Sequence, residues 1–270
     1  MVIRQQNESG TDNGVVILKD FSKIVYLTGF ILLVPAFFLS NVDIVPQHSF
    51  ISVFFIVFLA IPCFLAVFVW LGNKKGLLLL IIMGLYALFL ETMAIITGIP
   101  YSEFYYTEII GAKLFGTTPF TVPFAWLPLF IGSMYLASEI RINGQRPGPL
   151  QIAILTTLLL LLADLVLDPA AVALQFWIWK EPGIFYGVPL MNFIGWVISG
   201  FVAAVIGVVM TRHELREDKP AALASSLLLI MFFWTGVCVY MKLLIPAFVG
   251  IAMIAFITWS TKGHAGNFDK

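Results

Sequence analysis

Charge is scarce in this chain. Asp, Glu, Lys and Arg make up 11% of its 270 residues, against about 25% in a soluble domain. With 60% of residues hydrophobic and a mean hydropathy of +0.99, a water-soluble globule would lack the polar surface to cover its core. Lipid must solvate much of the chain. Formal net charge is zero, which leaves no basic face for nucleic acid. Cysteine is scarcer still: Cys63 and Cys238 both lie in apolar runs and read as small buried hydrophobes rather than a disulfide or redox pair. His48, His213 and His264 all fall in loops or the tail, which argues against a His-based metal site, a haem or a di-iron centre. Dinucleotide-binding glycines, a P-loop and a Ser-His-Asp set are missing, and no inverted repeat of a transporter stands out.

What the chain has instead is apolar length. Runs fall at about 24–39, 50–71, 76–98, 119–139, 150–167, 188–211, 221–240 and 243–259. Most are long enough for about 30 Å of hydrocarbon at about 1.5 Å per residue. The expected fold is therefore all-α, a polytopic bundle of about eight transmembrane helices, with seven as the alternative. The run from Ile24 to Leu39 is followed by Ser40-Asn41-Val42-Asp43, which is no signal-peptidase site, so it reads as a retained helix. Three regions are expected: a polar tail over 1–23, one membrane domain over 24–260 and a short tail over 261–270.

Basic residues then assign the sides. Arg4, Lys19, Lys23, Lys74, Lys75, Arg141, Arg146, Arg212, Arg216, Lys219, Lys262 and Lys270 fall in alternate loops and the two tails, and only Lys113, Lys180 and Lys242 in the others. By the positive-inside rule both termini are cytoplasmic and the protein is a multi-pass cell-membrane protein.

An ionisable group within a span costs about 2.5–3.5 kcal/mol and is a functional suspect. Glu91 lies near the outer end of the third run, Asp164 and Asp168 at the outer end of the fifth, and Asn192 opens the sixth from the same side. Asp164 and Asp168, spaced i, i+4, share a helix face, and two carboxylates that close in a low dielectric are expected to share a proton. The bland readings are a solvent-exposed helix end for Asp168, which precedes Pro169, and a helix–helix hydrogen bond for Asn192. Glu139, beside Arg141, reads as an interfacial ion pair. The outer loops are dense in rings: Tyr101, Phe104, Tyr105 and Tyr106 in one, Trp177, Trp179 and Tyr186 in another. They form either an interfacial belt or one shared aromatic site.

Several motifs in order carry a resemblance: Glu91 followed by Thr97-Gly98-Ile99-Pro100-Tyr101, Tyr105-Tyr106, Pro119 to Trp126, Asp164 with Asp168-Pro169, Trp177 with Trp179, and Tyr186-Gly187-Val188-Pro189-Leu190 with Asn192-Phe193 and Gly195-Trp196. Between Glu91 and Trp196 the chain resembles the carotenoid biosynthesis membrane-protein family, which includes hydratases of acyclic carotenoid end groups. Where members usually carry Pro-Phe-Gly, this chain has Pro100-Tyr101-Ser102. The resemblance implies addition of water across the terminal double bond of an acyclic polyene taken from the lipid phase, with no metal or redox cofactor required. Glu91, Asp164 and Asp168 would then serve as acid and base, and Trp177, Trp179 and Tyr186 would stabilise the carbocation. Asn192 and Tyr101 would hold water, with Tyr105, Trp126 and Trp196 completing the substrate site. Expected neighbours are membrane lipid and other carotenoid-pathway enzymes. Another polyene enzyme (an isomerase or cyclase) and a non-enzymatic carotenoid or lipid carrier or transporter are the competing readings.

Overall fold

The computed structural model describes residues 20–42 and 49–269. Arg4, Lys19, Asp43, His48 and Lys270, and with them most of the expected N-terminal tail, lie outside the described residues.

The chain is mostly helical. In order, the helices are α1 (Ser22–Ile31), α2 (Leu33–Asn41), α3 (Ser49–Thr97), α4 (Val122–Glu139), α5 (Pro149–Ala173), α6 (Leu190–Met210), α7 (Ser225–Tyr240) and α8 (Leu244–Ser260). They follow the apolar runs, with informative differences. The first run is divided between α1 and α2, because Pro35 has no N–H to give the carbonyl of Ile31 and the ladder breaks there. The second and third runs form the single 49-residue stretch α3, interrupted at Gly72, whose φ of 72° and ψ of 169° are not helical. A Cβ placed on Gly76 would lie 3.2 Å from the Phe68 ring and 3.3 Å from the Val67 carbonyl. Residues nine apart in a straight helix are about 13.5 Å apart, so α3 doubles back on itself. The left-handed backbone at that reversal is one that glycine adopts without penalty.

Among the described residues five helical stretches are long and apolar enough to cross a membrane: Ser22–Asn41, Ser49–Thr97, Pro149–Ala173, Leu190–Met210 and Ala221–Tyr240, while Leu244–Ser260 is apolar but shorter. The α4 and α7 helices are central and buried along nearly their whole length. The outer helices turn bulky apolar side chains outward: Phe30, Phe54, Phe89, Phe248 and Trp259 are each at least 60% exposed. So much exposed hydrocarbon is foreign to a surface in water and suits one in lipid, so this is a membrane protein.

The all-α expectation misses one detail. Loop segments at one end of the bundle pair as short antiparallel ribbons: β1 (Phe104–Tyr106) with β4 (Trp177–Trp179), and β2 (Lys113–Leu114) with β3 (Thr118–Pro119).

Basic loops gather at the other end of the bundle. Lys75 pairs with Glu214 at 2.5 Å, Arg146 with Asp218 at 3.5 Å and Lys219 with Glu139 at 2.6 Å. The residue before α1 meets the segment after α8 there as well, with the Phe21 N–H donating to the Gly266 carbonyl at 2.9 Å. Glu139 is indeed in an ion pair, but its partner is Lys219, not the neighbouring Arg141. The Lys219 side chain is only 1% exposed and Glu139's is 27% exposed. Burial pushes the Lys219 ammonium below its usual range, and the Glu139 carboxylate opposes that shift. Removing one member of a buried pair strands the other charge, at about 3–5 kcal/mol when both are fully buried. Because Lys219 is the deeper partner, Glu139→Gln should lower the unfolding midpoint in detergent more than Lys219→Met. The double variant should recover part of the loss, and equal effects from the two single variants would contradict this account.

Candidate functional site

Glu91, Asp164, Asp168 and Asn192 gather at the end opposite these ion pairs. Glu91 stands six residues before the end of α3, Asp164 and Asp168 lie in the last turns of α5, and Asn192 is in the first turn of α6. α5 does not stop at Pro169 but continues to Ala173, which carries Asp168 inside the protein rather than into solvent. Asp164 is 0% and Asp168 4% exposed.

One amide joins the two aspartates. Asn192 Nδ2 donates to Asp164 Oδ2 at 3.2 Å and also to Asp168 Oδ2. Asp164 Oδ1 is buried and has no hydrogen-bond partner among the described residues.

Beside this cluster lies a cavity of about 80 Å³ that both Glu91 and Asp168 line. Tyr106 donates its hydroxyl to Glu91 Oε2 at 3.2 Å. Burial pushes the Tyr106 hydroxyl well above its usual range, so it remains a donor at any physiological pH. Tyr101, Trp126, Trp177, Trp179, Asn192 and Trp196 complete the polar and aromatic wall. The rings support one another: Phe104 lies 4.8 Å from Trp179, Tyr106 5.6 Å from Trp177 and Tyr101 6.3 Å from Trp196, centroid to centroid. Trp179 Nε1 is buried with no acceptor among the described residues, leaving an N–H free for a ligand in the cavity.

Two expected residues stand elsewhere. In β1 the side chains alternate, with Phe104 and Tyr106 buried and Tyr105 49% exposed. Successive strand residues point to opposite faces, so Tyr105 faces away from the chamber and Tyr106 lines it. Tyr186 also lies off the chamber, its hydroxyl accepting the Ile245 N–H at 3.3 Å at the start of α8. Asp164 lies behind the wall and reaches the cavity through Asp168 and Asn192. Asn192 and Tyr101, expected to hold water, already have protein partners: Asn192 the two aspartates, and the Tyr101 hydroxyl Ser199 Oγ at 2.8 Å. Phe104 and Tyr106, named among the loop rings but given no role, and Thr121, not named at all, also stand on the cavity wall. The period-two spacing of Phe104 and Tyr106, opposite Trp179 and Trp177 on the paired strand, was the signal for the first two.

Tyr101 is held by close packing. A Cβ on Gly195 of α6 would fall 2.6 Å from the Tyr101 ring and 2.7 Å from the Pro100 carbonyl, so glycine allows the loop to lie directly on the helix. Ser102 next to it adopts φ = 74°, a left-handed conformation that costs a side-chain-bearing residue about 1–2 kcal/mol.

With this geometry the chain is a helical membrane protein whose middle helices enclose a small acidic and aromatic chamber. Residues 48–257 match the model of a family described as carotenoid biosynthesis protein, and the chain belongs to that family. Among its relatives is the bisanhydrobacterioruberin hydratase of Haloarcula japonica, 32% identical over 207 residues, which cover 75% of this chain and 69% of that protein. No solved structure matches the chain. The family match extends well beyond the Glu91–Trp196 stretch from which the resemblance is read, into helices whose sequence shows hydrophobicity alone.

Two substitutions test the loop packing by thermal unfolding. Ser102→Gly should raise stability by about 1 kcal/mol by relieving the left-handed backbone. Gly195→Val should lower it by about 1–3 kcal/mol through overpacking and change the emission of Trp196. Equal midpoints for the two would refute the packing described.

Proposed function

We propose that the protein hydrates the terminal double bond of an acyclic carotenoid end group, as a hydro-lyase whose substrate enters from the lipid phase. The observation that carries this reading is the convergence of two carboxyl groups, Glu91 and Asp168, on one small chamber walled by aromatic rings, with Asp164 joined to Asp168 behind the wall through Asn192. An unactivated alkene needs a proton before water will add. In this reading a carboxylic acid gives its proton to the less substituted alkene carbon, and the π electrons form the new C–H bond. A tertiary cation is left on the other carbon. Faces of Trp126, Trp177 and Trp196 stabilise that cation, at about 0.5–2 kcal/mol per ring depending on desolvation, together with the remaining carboxylate. Water then attacks the cation and loses its proton to a carboxylate, so alkene and water become a tertiary alcohol and the proton inventory is restored.

Glu91 and Asp168 touch the chamber and serve as the catalytic pair. Asp164 and Asn192 act through Asp168 as positioning residues that keep its proton supplied and its rotamer fixed. The free Trp179 N–H is suited to hold the oxygen of the attacking water. Tyr106 orients Glu91.

Eight crossings with both termini cytoplasmic is the topology we infer for this multi-pass cell-membrane protein, supported by basic loops that share one end of the bundle. The chamber then lies towards the outer face. Membrane lipid, the polyene and other enzymes of the same pathway are its surroundings in this reading.

The test is expression in a host that makes an acyclic carotenoid, followed by pigment mass analysis. The wild-type protein should add one water for each reacted end. Glu91→Gln and Asp168→Asn should each reduce that product at least 100-fold, in keeping with general acid–base catalysis, with Asp164→Asn intermediate. Tyr106→Phe should cost about tenfold and Tyr105→Phe little, following the strand alternation. Full product from all three carboxylate variants would refute the assignment. A product of unchanged mass would indicate an isomerase or cyclase, and unaltered pigment a carrier.

A further inference from the structure

The chamber is too small for its proposed substrate. At about 80 Å³, and with one water claiming about 30 Å³ of liquid volume, it has room for an end group and little more. A long polyene must extend into some other space. Directly beside the chamber lies a second cavity of about 330 Å³, within the range of small-molecule sites, about 300–1,000 Å³. Ile56, Ile110, Ala125, Leu167 and Trp177 line both, so the two are neighbours across a common wall.

The second cavity differs in chemistry. No charged side chain lines it, and the hydroxyl of Ser52 is the one side-chain oxygen on its wall among the described residues. Nothing there would hold a phosphate, a carboxylate or a sugar. Its inner end is bounded by buried Leu59, Phe233 and Trp234, and its outer rim by Phe38 and Ile51, which are 57% and 54% exposed on the lipid-facing surface. The rim therefore lies between α2 and the first half of α3.

We propose that this cavity seats the hydrocarbon tail of the acyclic polyene, forming a lateral channel from lipid between α2 and α3 to the carboxylates. The assignment rests on the hydratase reading for what happens at the inner end, but the tail seat can be measured without turnover. A channel open at its rim leaves the far end of the polyene in the bilayer. The protein then handles one end per binding event, and a bulky group at the far end does not prevent binding.

The experiment uses the full chain in detergent with a full-length acyclic carotenoid, scoring both pigment that co-elutes with the protein and hydrated product. Ser52→Phe narrows the cavity from within. Ile51→Trp narrows the rim at an exposed position where folding is little affected, and an unchanged unfolding midpoint verifies that. Each variant should retain at least tenfold less pigment than wild type, and hydration should fall with it. A carotenoid ringed at its far end should be retained by the wild-type protein as well as the acyclic one.

If pigment is retained equally by wild type and both variants, the channel is overturned even where hydration proceeds. Exclusion of the ringed carotenoid would overturn it too, because the seat would then be closed at its outer end. If the variants lose pigment but no protein, wild type included, hydrates it, the channel stands and the hydratase reading falls.

Discussion

A carboxyl group among hydrocarbon has to find its hydrogen-bond partners inside the protein, since lipid offers none. At Asp164 and Asp168 the partner they share is a single amide, Asn192. That arrangement fixes the approach of α5 to α6. The aspartates face α6 from the last turns of one helix, and the asparagine answers from the first turn of the next. Small residues on α6 let the loops and neighbouring helices come close: Tyr101 lies on Gly195, and the Phe130 ring of α4 lies 2.6 Å from where a Cβ of Gly207 would be. Close packing and polar satisfaction thus point to one geometry, and the chamber is the space left beside it.

Much of this was legible in the sequence because the bilayer penalises charge so heavily. In a chain with 11% charged residues, each acid within an apolar run is conspicuous, and Glu91, Asp164, Asp168 and Asn192 were visible at a common depth from run boundaries alone. The rings of Trp126, Trp177, Trp179 and Trp196 were likewise visible as candidates, and they share the chamber wall. What the sequence did not reveal depends on contacts distant along the chain. The pairing of β1 with β4 joins segments more than seventy residues apart, and only that pairing decides that Tyr106 looks in and Tyr105 looks out. The partner of Glu139 is eighty residues away at Lys219, whereas sequence proximity favours Arg141. The continuation of α5 past Pro169 was hidden because proline usually ends a helix.

The second cavity was also invisible in the sequence, for a different reason. Its walls are Ile, Leu, Phe and Trp in runs that any membrane helix contains, so composition cannot separate a residue facing lipid from one facing an internal void. Only the assembled bundle sets Phe55 and Leu59 of α3 against Phe233 and Trp234 of α7 with space between them.

The reversal of α3 at Gly72 acts as a depth gauge. Ile56 lies sixteen residues before the turn and Glu91 nineteen after it, and both reach the chamber wall. Each residue inserted into the returning arm would lift Glu91 by about 1.5 Å and swing it by about 100° around the helix, enough to turn its carboxylate from the chamber towards another face. Sequence length is therefore constrained on the arms of this hairpin much more tightly than hydrophobicity alone requires. A stretch that looks like interchangeable membrane anchor is in effect a measured strut.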